Sequence, residues 1–183
     1  PLRLVGSEMC IRDSAKGEWV AITDIDVRPE PDWIETMVSE IEPLDETETV
    51  VAVTGRTVFG HAGDVVSRVR SVEIARKYRA RPRKTSLANG PCSMFHRQAL
   101  LDIGGFNPEW YHAEDMEVSL RLIGNGGSIV YAPSAVVAHV PEKERKRFLA
   151  KRRRDARAHV RIVRHFPRRK RIGPGLDLSL IHI

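Results

Sequence analysis

Residues 17–33 read GEWVAITDIDVRPEPDW, and the way this stretch ends decides the fold. From Glu18 onward a β-rich apolar run, WVAI, leads into the carboxylates of Asp24 and Asp26, which is how a buried strand looks when it stops at a functional edge of a sheet. Alternation along an extended chain points residues i and i+2 the same way, so both carboxylates share a face. Like charges that close raise the pKa of one partner, and a divalent cation relieves the repulsion. Oxygen ligands of this kind suit Mg2+ or Mn2+, which typically also hold phosphates. The pair has a plainer use too: one Asp caps the following turn and the other is simply exposed.

Working outward, Pro29 and Pro31 punctuate a turn, Asp32 stands at a cap position, and Trp33, Ile34, Met37, Val38 and Ile41 recur at helical spacing until Pro43. Residues 49–59, TVVAVTGRTVF, form a second strand-like run. Residues 64–78 carry Val65, Val69, Val72 and Ile74 among arginines as an amphipathic helix. After a basic loop, residues 79–84, the spacing predicts a strand over 91–96 and a short helix over 97–103, ended by Gly104 and Gly105. A turn-rich stretch, 106–113, precedes a helix from Glu114 to about Ile123. Strands at 129–131 and 135–140 flank Pro133, and a long helix from about Glu142 to His165 stops at Pro167. Alternating strands and helices imply an α/β domain with a mostly parallel sheet, and the crowded short strands after Asn89 imply some antiparallel pairing.

The chain has 183 residues, 42% hydrophobic and 30% charged, enough for one domain with a real core and unlike a disordered chain. Its longest uncharged stretch, 124–141, contains two prolines, several glycines and a histidine, so it is not a membrane-spanning helix. Cys10 and Cys92 are too few for a disulfide framework, and a reducing cytoplasm is the expected setting. The net charge of +6 conceals an asymmetry: residues 143–171 hold 15 Lys and Arg against Glu144 and Asp155, a local +13, leaving −7 for the rest. Residues 6–14, GSEMCIRDS, and 178–183, LSLIHI, resemble translated sequencing-adapter read-through, so residues 1–14 and 178–183 are set apart from the fold.

Two blocks carry a family resemblance. GEWVAITDIDVRPEPDW looks like the stretch around the Asp-x-Asp motif of family 2 glycosyltransferases. ANGPCSMFHRQALLDIGGFNPEWYHAEDMEVSLRL is similar to their downstream block: a small-residue strand, an Arg before a short helix, a Gly-Gly-Phe turn and an acidic pair opening a helix, in that order. The resemblance implies a GT-A fold over residues 15–141, a Rossmann-like mixed sheet with helices on both faces that binds a nucleotide-diphosphosugar, here without its N-terminal portion. It implies Asp24 near the donor ribose and a Mg2+ or Mn2+ ion, Asp26 as a ligand of that ion, His139 as a third ligand, and Asp115, beside Glu114, as the general base. The acceptor would be a glycan or lipid-linked hydroxyl. No Gln-x-x-Arg-Trp follows the acidic pair, so the resemblance implies single-sugar addition.

Each residue has a structural use as well. Glu114 and Asp115 suit a first helical turn through the macrodipole, and His139 shares a strand face with Ala135 and Val137, as a core histidine would. Gly104 and Gly105 either approach a sugar or cap a helix. Trp110 and Tyr111 either stack on an acceptor or anchor a turn. Arg56 is a candidate donor contact. In the C-terminal unit, residues 142–177, Leu149, Ala156, Val160 and Val163 form a stripe among arginines. Such a helix suits an anionic membrane surface on the cytoplasmic side, or it packs on the domain. The competing class is a non-catalytic protein that binds polyanions through this segment. Nucleic acid is the weaker partner, for no base-reading motif is visible. A sugar-nucleotide pyrophosphorylase would need a Gly-rich, Lys-containing opening that these residues do not contain.

Overall fold

The computed structural model describes residues 15–41, 47–60, 63–140 and 144–166. The adapter-like ends, Cys10, Pro43 and Pro167 lie outside them. Six strands form one mixed sheet: β1 (Trp19–Ile22), β2 (Val27–Pro29), β3 (Thr49–Phe59), β4 (Lys84–Thr85), β5 (Ser93–His96) and β6 (Gly127–His139). The order is β1-β5-β3-β6-β2, with β4 also paired to β6.

The expectation of a mostly parallel sheet needs correction: among the described pairs, only β3 and β6 pair in parallel. β5 is antiparallel to both β1 and β3, so β1, β3 and β6 still point one way with a reversed strand wedged among them. Their C-terminal ends, near Asp24, Phe59 and His139, therefore meet along one edge, the edge where α/β sheets bind ligands.

Residues 127–139 are one strand rather than two. The interruption foreseen at Pro133 survives as an irregular register, with Tyr131 opposite Thr54 but Val136 opposite Arg56. Gly55 sits at this break because the chains nearly touch there: a Cβ would lie 2.3 Å from the Ala135 carbonyl oxygen and 2.4 Å from the Cys92 Sγ, distances no side chain tolerates.

Helices cover both faces. Met37 of α1 (Trp33–Ser39) packs with Val50, Val53, Met94, Val130 and Val137 on one face. On the other, Leu100 of α3 (Arg97–Asp102) and Val118 and Leu122 of α4 (Glu114–Gly124) pack with Val51, Phe95 and Ile129. Asp32 occupies the α1 cap position without making a side-chain cap bond. α2 (Val65–Arg79) is capped by Asp64, whose carboxylate accepts from the Ser67 amide at 2.9 Å.

Most residues of the two apolar stripes read from the sequence do not face the core. On α2, among the described side chains, Ser67, Ile74 and Tyr78 are buried, so Ile74 is the member of the stripe that meets the sheet, while Val65, Val69 and Val72 are exposed. On α5 (Arg145–His165) the domain contact is made by Ala158 and Ile162, and Leu149, Val160 and Val163 stay exposed. Periodicity marks a helix, but the sheet below α2 offers Tyr131 and Phe59, and these select Ile74 and Tyr78 one helical face away. No described helix is long and apolar enough to cross a membrane.

Candidate active site

Strand pairing builds the first half of the site. Val27 of β2 lies opposite His139 of β6, and the Val140 amide donates to the Asp26 carbonyl at 2.9 Å, which brings positions more than a hundred residues apart into register. One ligand atom from each of Asp24, Asp26 and His139 lies within 4.8 Å of the others, and His139 Nε2 is 3.5 Å from Asp26 Oδ2. His139 Nδ1 is 2.7 Å from the Val140 carbonyl oxygen. A carbonyl only accepts, so Nδ1 donates to it, which leaves Nε2 turned towards the carboxylates, as in metal-binding histidines. The ring stacks on Phe59 at 4.6 Å, which fixes its plane. Two carboxylates and an imidazole so placed fit a hard divalent cation.

Burial, followed by the neighbouring Asp26, pushes the Asp24 carboxyl up, while His139 and Lys151 pull it back. A cavity of about 230 Å3 opens beside Asp26 and His139, walled in part by Phe59, Arg70, Phe148, Lys151 and Arg152.

The second half is the start of α4. Ala113, its N-cap, has φ +59° and is the only described non-glycine residue with positive φ. That conformation costs roughly 1–2 kcal/mol for an L-residue, and such strain concentrates at functional sites. It immediately precedes Glu114 and Asp115. Asp115 Oδ1 accepts from the Met116 amide at 2.8 Å and Oδ2 from the Gly90 amide at 3.4 Å. Asp115 is also among the charges that push the Asp24 carboxyl up, the weakest of them.

Sequence reasoning missed the network behind Asp115. Arg81 packs beside the stacked rings of Tyr78 and Tyr131, its guanidinium 5.6 and 5.0 Å from their centroids. Its guanidinium donates to Thr85 Oγ1 at 3.0 Å, to Asn89 Oδ1 at 3.2 Å and to the Leu87 carbonyl. Asn89 is bonded in turn to Thr54 and Thr57. The loop that offers Gly90 to Asp115 is thus held by buried bonds, and its residues lack the regular spacing that would have revealed them.

Lys77 is the other unforeseen group. Its side chain keeps solvent contact, yet enclosure by the surrounding protein, then Arg81, pushes the ammonium down to about 8. The folded state therefore disfavours the charged form, a penalty present below about 8 and relieved as pH rises towards the ordinary 10.5. At pH 8 about half of Lys77 is free amine against under about 1% of an ordinary lysine. Limited acylation at that pH, mapped by mass spectrometry, is expected to modify Lys77 ahead of the other lysines. Modification no faster than at Lys16 would refute the shift.

The remaining candidates land elsewhere. Gly104 and Gly105, at φ +78° and +74°, cap α3: their amides donate to the Leu101 and Leu100 carbonyls at 2.9 and 2.7 Å, a Schellman motif. Trp110 is 2% exposed, with the Arg161 guanidinium 4.0 Å from its ring centroid and His165 and Phe166 beside it. It anchors α5 and has no open face for a sugar, whereas Tyr111 is exposed beside His112. Arg56 is exposed on β3 opposite Val136 and acts on Tyr131. Cys92 is a buried free thiol, pushed up to about 11 by burial, and is inert.

The profile of a protein family described as "Glycosyl transferase family group 2" matches residues 19–176. The pre-mycofactocin glycosyltransferases of Mycobacterium tuberculosis strains CDC 1551 and H37Rv are each 27% identical over 143 residues, covering 74% of this chain and 29% of theirs. The chain thus spans under a third of the length of these curated relatives. Among solved structures, the mannosyltransferase PcManGT from Pyrobaculum calidifontis, in complex with GDP-Man and Mn2+, matches 90% of this chain with 44% of its own. Its TM-score is 0.62 at 22% identity. GalNAc-T7 with UDP, GalNAc and Mn2+ matches 77% with 31% of its own, at TM-score 0.55 and 14% identity. At these identities both likenesses concern the fold, which is that of GT-A glycosyltransferases.

Proposed function

Because this chain belongs to the glycosyl transferase family group 2, we propose that the protein containing it moves one sugar from a nucleotide-diphosphosugar to a hydroxyl of a glycan or lipid-linked acceptor, with inversion at the anomeric carbon. One observation carries the reading: Asp24, Asp26 and His139 converge on a site for one cation. On this reading Asp115, whose charge reaches Asp24, lies on the same cleft. The two solved relatives described above hold Mn2+ with a nucleotide or nucleotide sugar, which supports it.

Asp24, Asp26 and His139 would hold Mg2+ or Mn2+, and the ion supplies charge neutralisation to a departing diphosphate. Lys151 and Arg152, on the cavity wall beside Asp26, add positive charge on the same side. Asp115 takes the proton of the acceptor hydroxyl, and the Gly90 and Met116 amides orient its carboxylate. The α4 N-terminus, with Glu114, Asp115 and Glu117 in its first turn, suits negative charge through its dipole. The exposed arginines of α5 support a location at an anionic membrane surface on the cytoplasmic side.

Mn2+ titration of the chain, alone and with UDP or GDP, tests the cation site. Asp26→Ala and His139→Ala are each expected to weaken Mn2+ binding by about 10- to 100-fold, at least the loss typical of weakening a metal ligand's support. Unchanged affinity in both variants would sink the proposal. So would nucleotide binding that ignores the metal altogether.

A further inference from the structure

The outward face of α2 is not used by the fold. Val65, Val69 and Val72 recur at i, i+4 and i+7 and are 65, 49 and 68% exposed. Arg68, Arg76 and Arg79 are exposed on the same side of the helix. The helix's one acid, Glu73, is turned away and bonded to Arg70 at 2.8 Å and to Arg152 of α5 at 3.4 Å. α5, tied on by that contact, has the same construction. Leu149, Val160 and Val163 are exposed among arginines, and its one acid, Asp155, is paired with Arg152 and Arg154.

We infer that α2 is a second docking face for an anionic lipid surface, acting beside α5. A helix that lies in a membrane interface combines an apolar strip with Lys or Arg beside it. Valines enter the acyl boundary while arginines extend their stems and leave the charge among lipid phosphates. Each basic residue near an anionic leaflet adds to the attraction. Charge selects this occupant over a second copy of the chain, because two such faces brought together would set arginine against arginine with no acid on either helix left to compensate.

The inference rests on the membrane location proposed above and is independent of the sugar chemistry. It is tested by co-sedimenting the 183-residue chain with vesicles of phosphatidylcholine alone and of equal parts phosphatidylcholine and phosphatidylglycerol. The wild type is expected to bind the anionic vesicles and not the neutral ones. Val69→Glu/Val72→Glu, on positions already in water and therefore compatible with an unchanged melting temperature, is expected to weaken that binding by about tenfold or more, since it removes two apolar contacts and adds repulsion. Val160→Glu/Val163→Glu is the companion on α5.

Binding that only the α5 variant loses would overturn the role of α2 while leaving the location intact. Wild type that ignores anionic vesicles would overturn both and leave the Mn2+ and nucleotide titration untouched. A dimer that dissociates in the α2 variant, seen by light scattering without any change in lipid binding, would assign the face to a second copy and overturn the inference.

Discussion

Asp115→Asn, in the full-length enzyme, is expected to lower kcat by about 10²- to 10⁴-fold, the range a positioned general base contributes, with nucleotide and Mn2+ binding unchanged. Asparagine keeps the size of the side chain and an oxygen that can accept from the Gly90 or Met116 amide, but its amide cannot take a proton. The ligand cluster of Asp24, Asp26 and His139 is separate from it, so the loss should fall on kcat and not on donor affinity. A variant that turns over within a few-fold of wild type would remove Asp115 from the reaction. One that loses Mn2+ binding would make it part of the cation site instead.

Glu117→Ala is expected to cost the fold about 3 to 5 kcal/mol, the penalty for stripping one partner from a buried ion pair. Glu117 is 2% exposed. Its carboxylate takes Arg121 in a fork, Nε to Oε1 and Nη2 to Oε2, both at 2.7 Å. The other Arg121 donors reach the Ile103 and Gly105 carbonyls at 2.6 and 2.7 Å, so the pair also clamps the turn after α3 against α4. Without Glu117 a largely buried guanidinium would keep only neutral acceptors. Urea unfolding of wild type and variant measures the difference. A change under about 1 kcal/mol, typical of an exposed pair, would show that water replaces the carboxylate freely. The 24% exposure of the Arg121 side chain makes the lower end of the range the expected one.

Sequence reasoning went furthest where the relevant physics is local. Gly104-Gly105 has a helix end as one of its two readings, because positive φ is a property of the residue itself, and the Schellman bonds follow. The acidic start of α4 was visible for a similar reason. The Asp24 and Asp26 pair was legible as a reactive edge, but strand alternation does not gather it: β1 ends at Ile22, and both residues stand in the connection before β2. The approach of His139 was not legible: it needs β2 paired to β6 with Val27 opposite His139, and only the family resemblance anticipated it.

The exposed stripes share one cause. Val65, Val69 and Val72 on α2, and Leu149, Val160 and Val163 on α5, have the period of a buried face, yet each helix docks through other residues. Trp110 is a related case, since its neighbour in sequence gives no hint that α5 will cover it with Arg161. The direction of β5, the single strand at Pro133 and the Arg81 network depend likewise on partners distant in the chain.

The amino-acid order by itself determined most of the helices and strands, though not β2, β4 or the unbroken β6, and that carboxylates stand just past a strand's end and at a helix's start, because backbone preference and charge act over a few residues. Tertiary structure alone decided which helix face is buried, which strand is reversed, and the register that gathers Asp24, Asp26 and His139. Those outcomes depend on pairing register and on the shape of the surface each element lands on, and neither is encoded within the element itself.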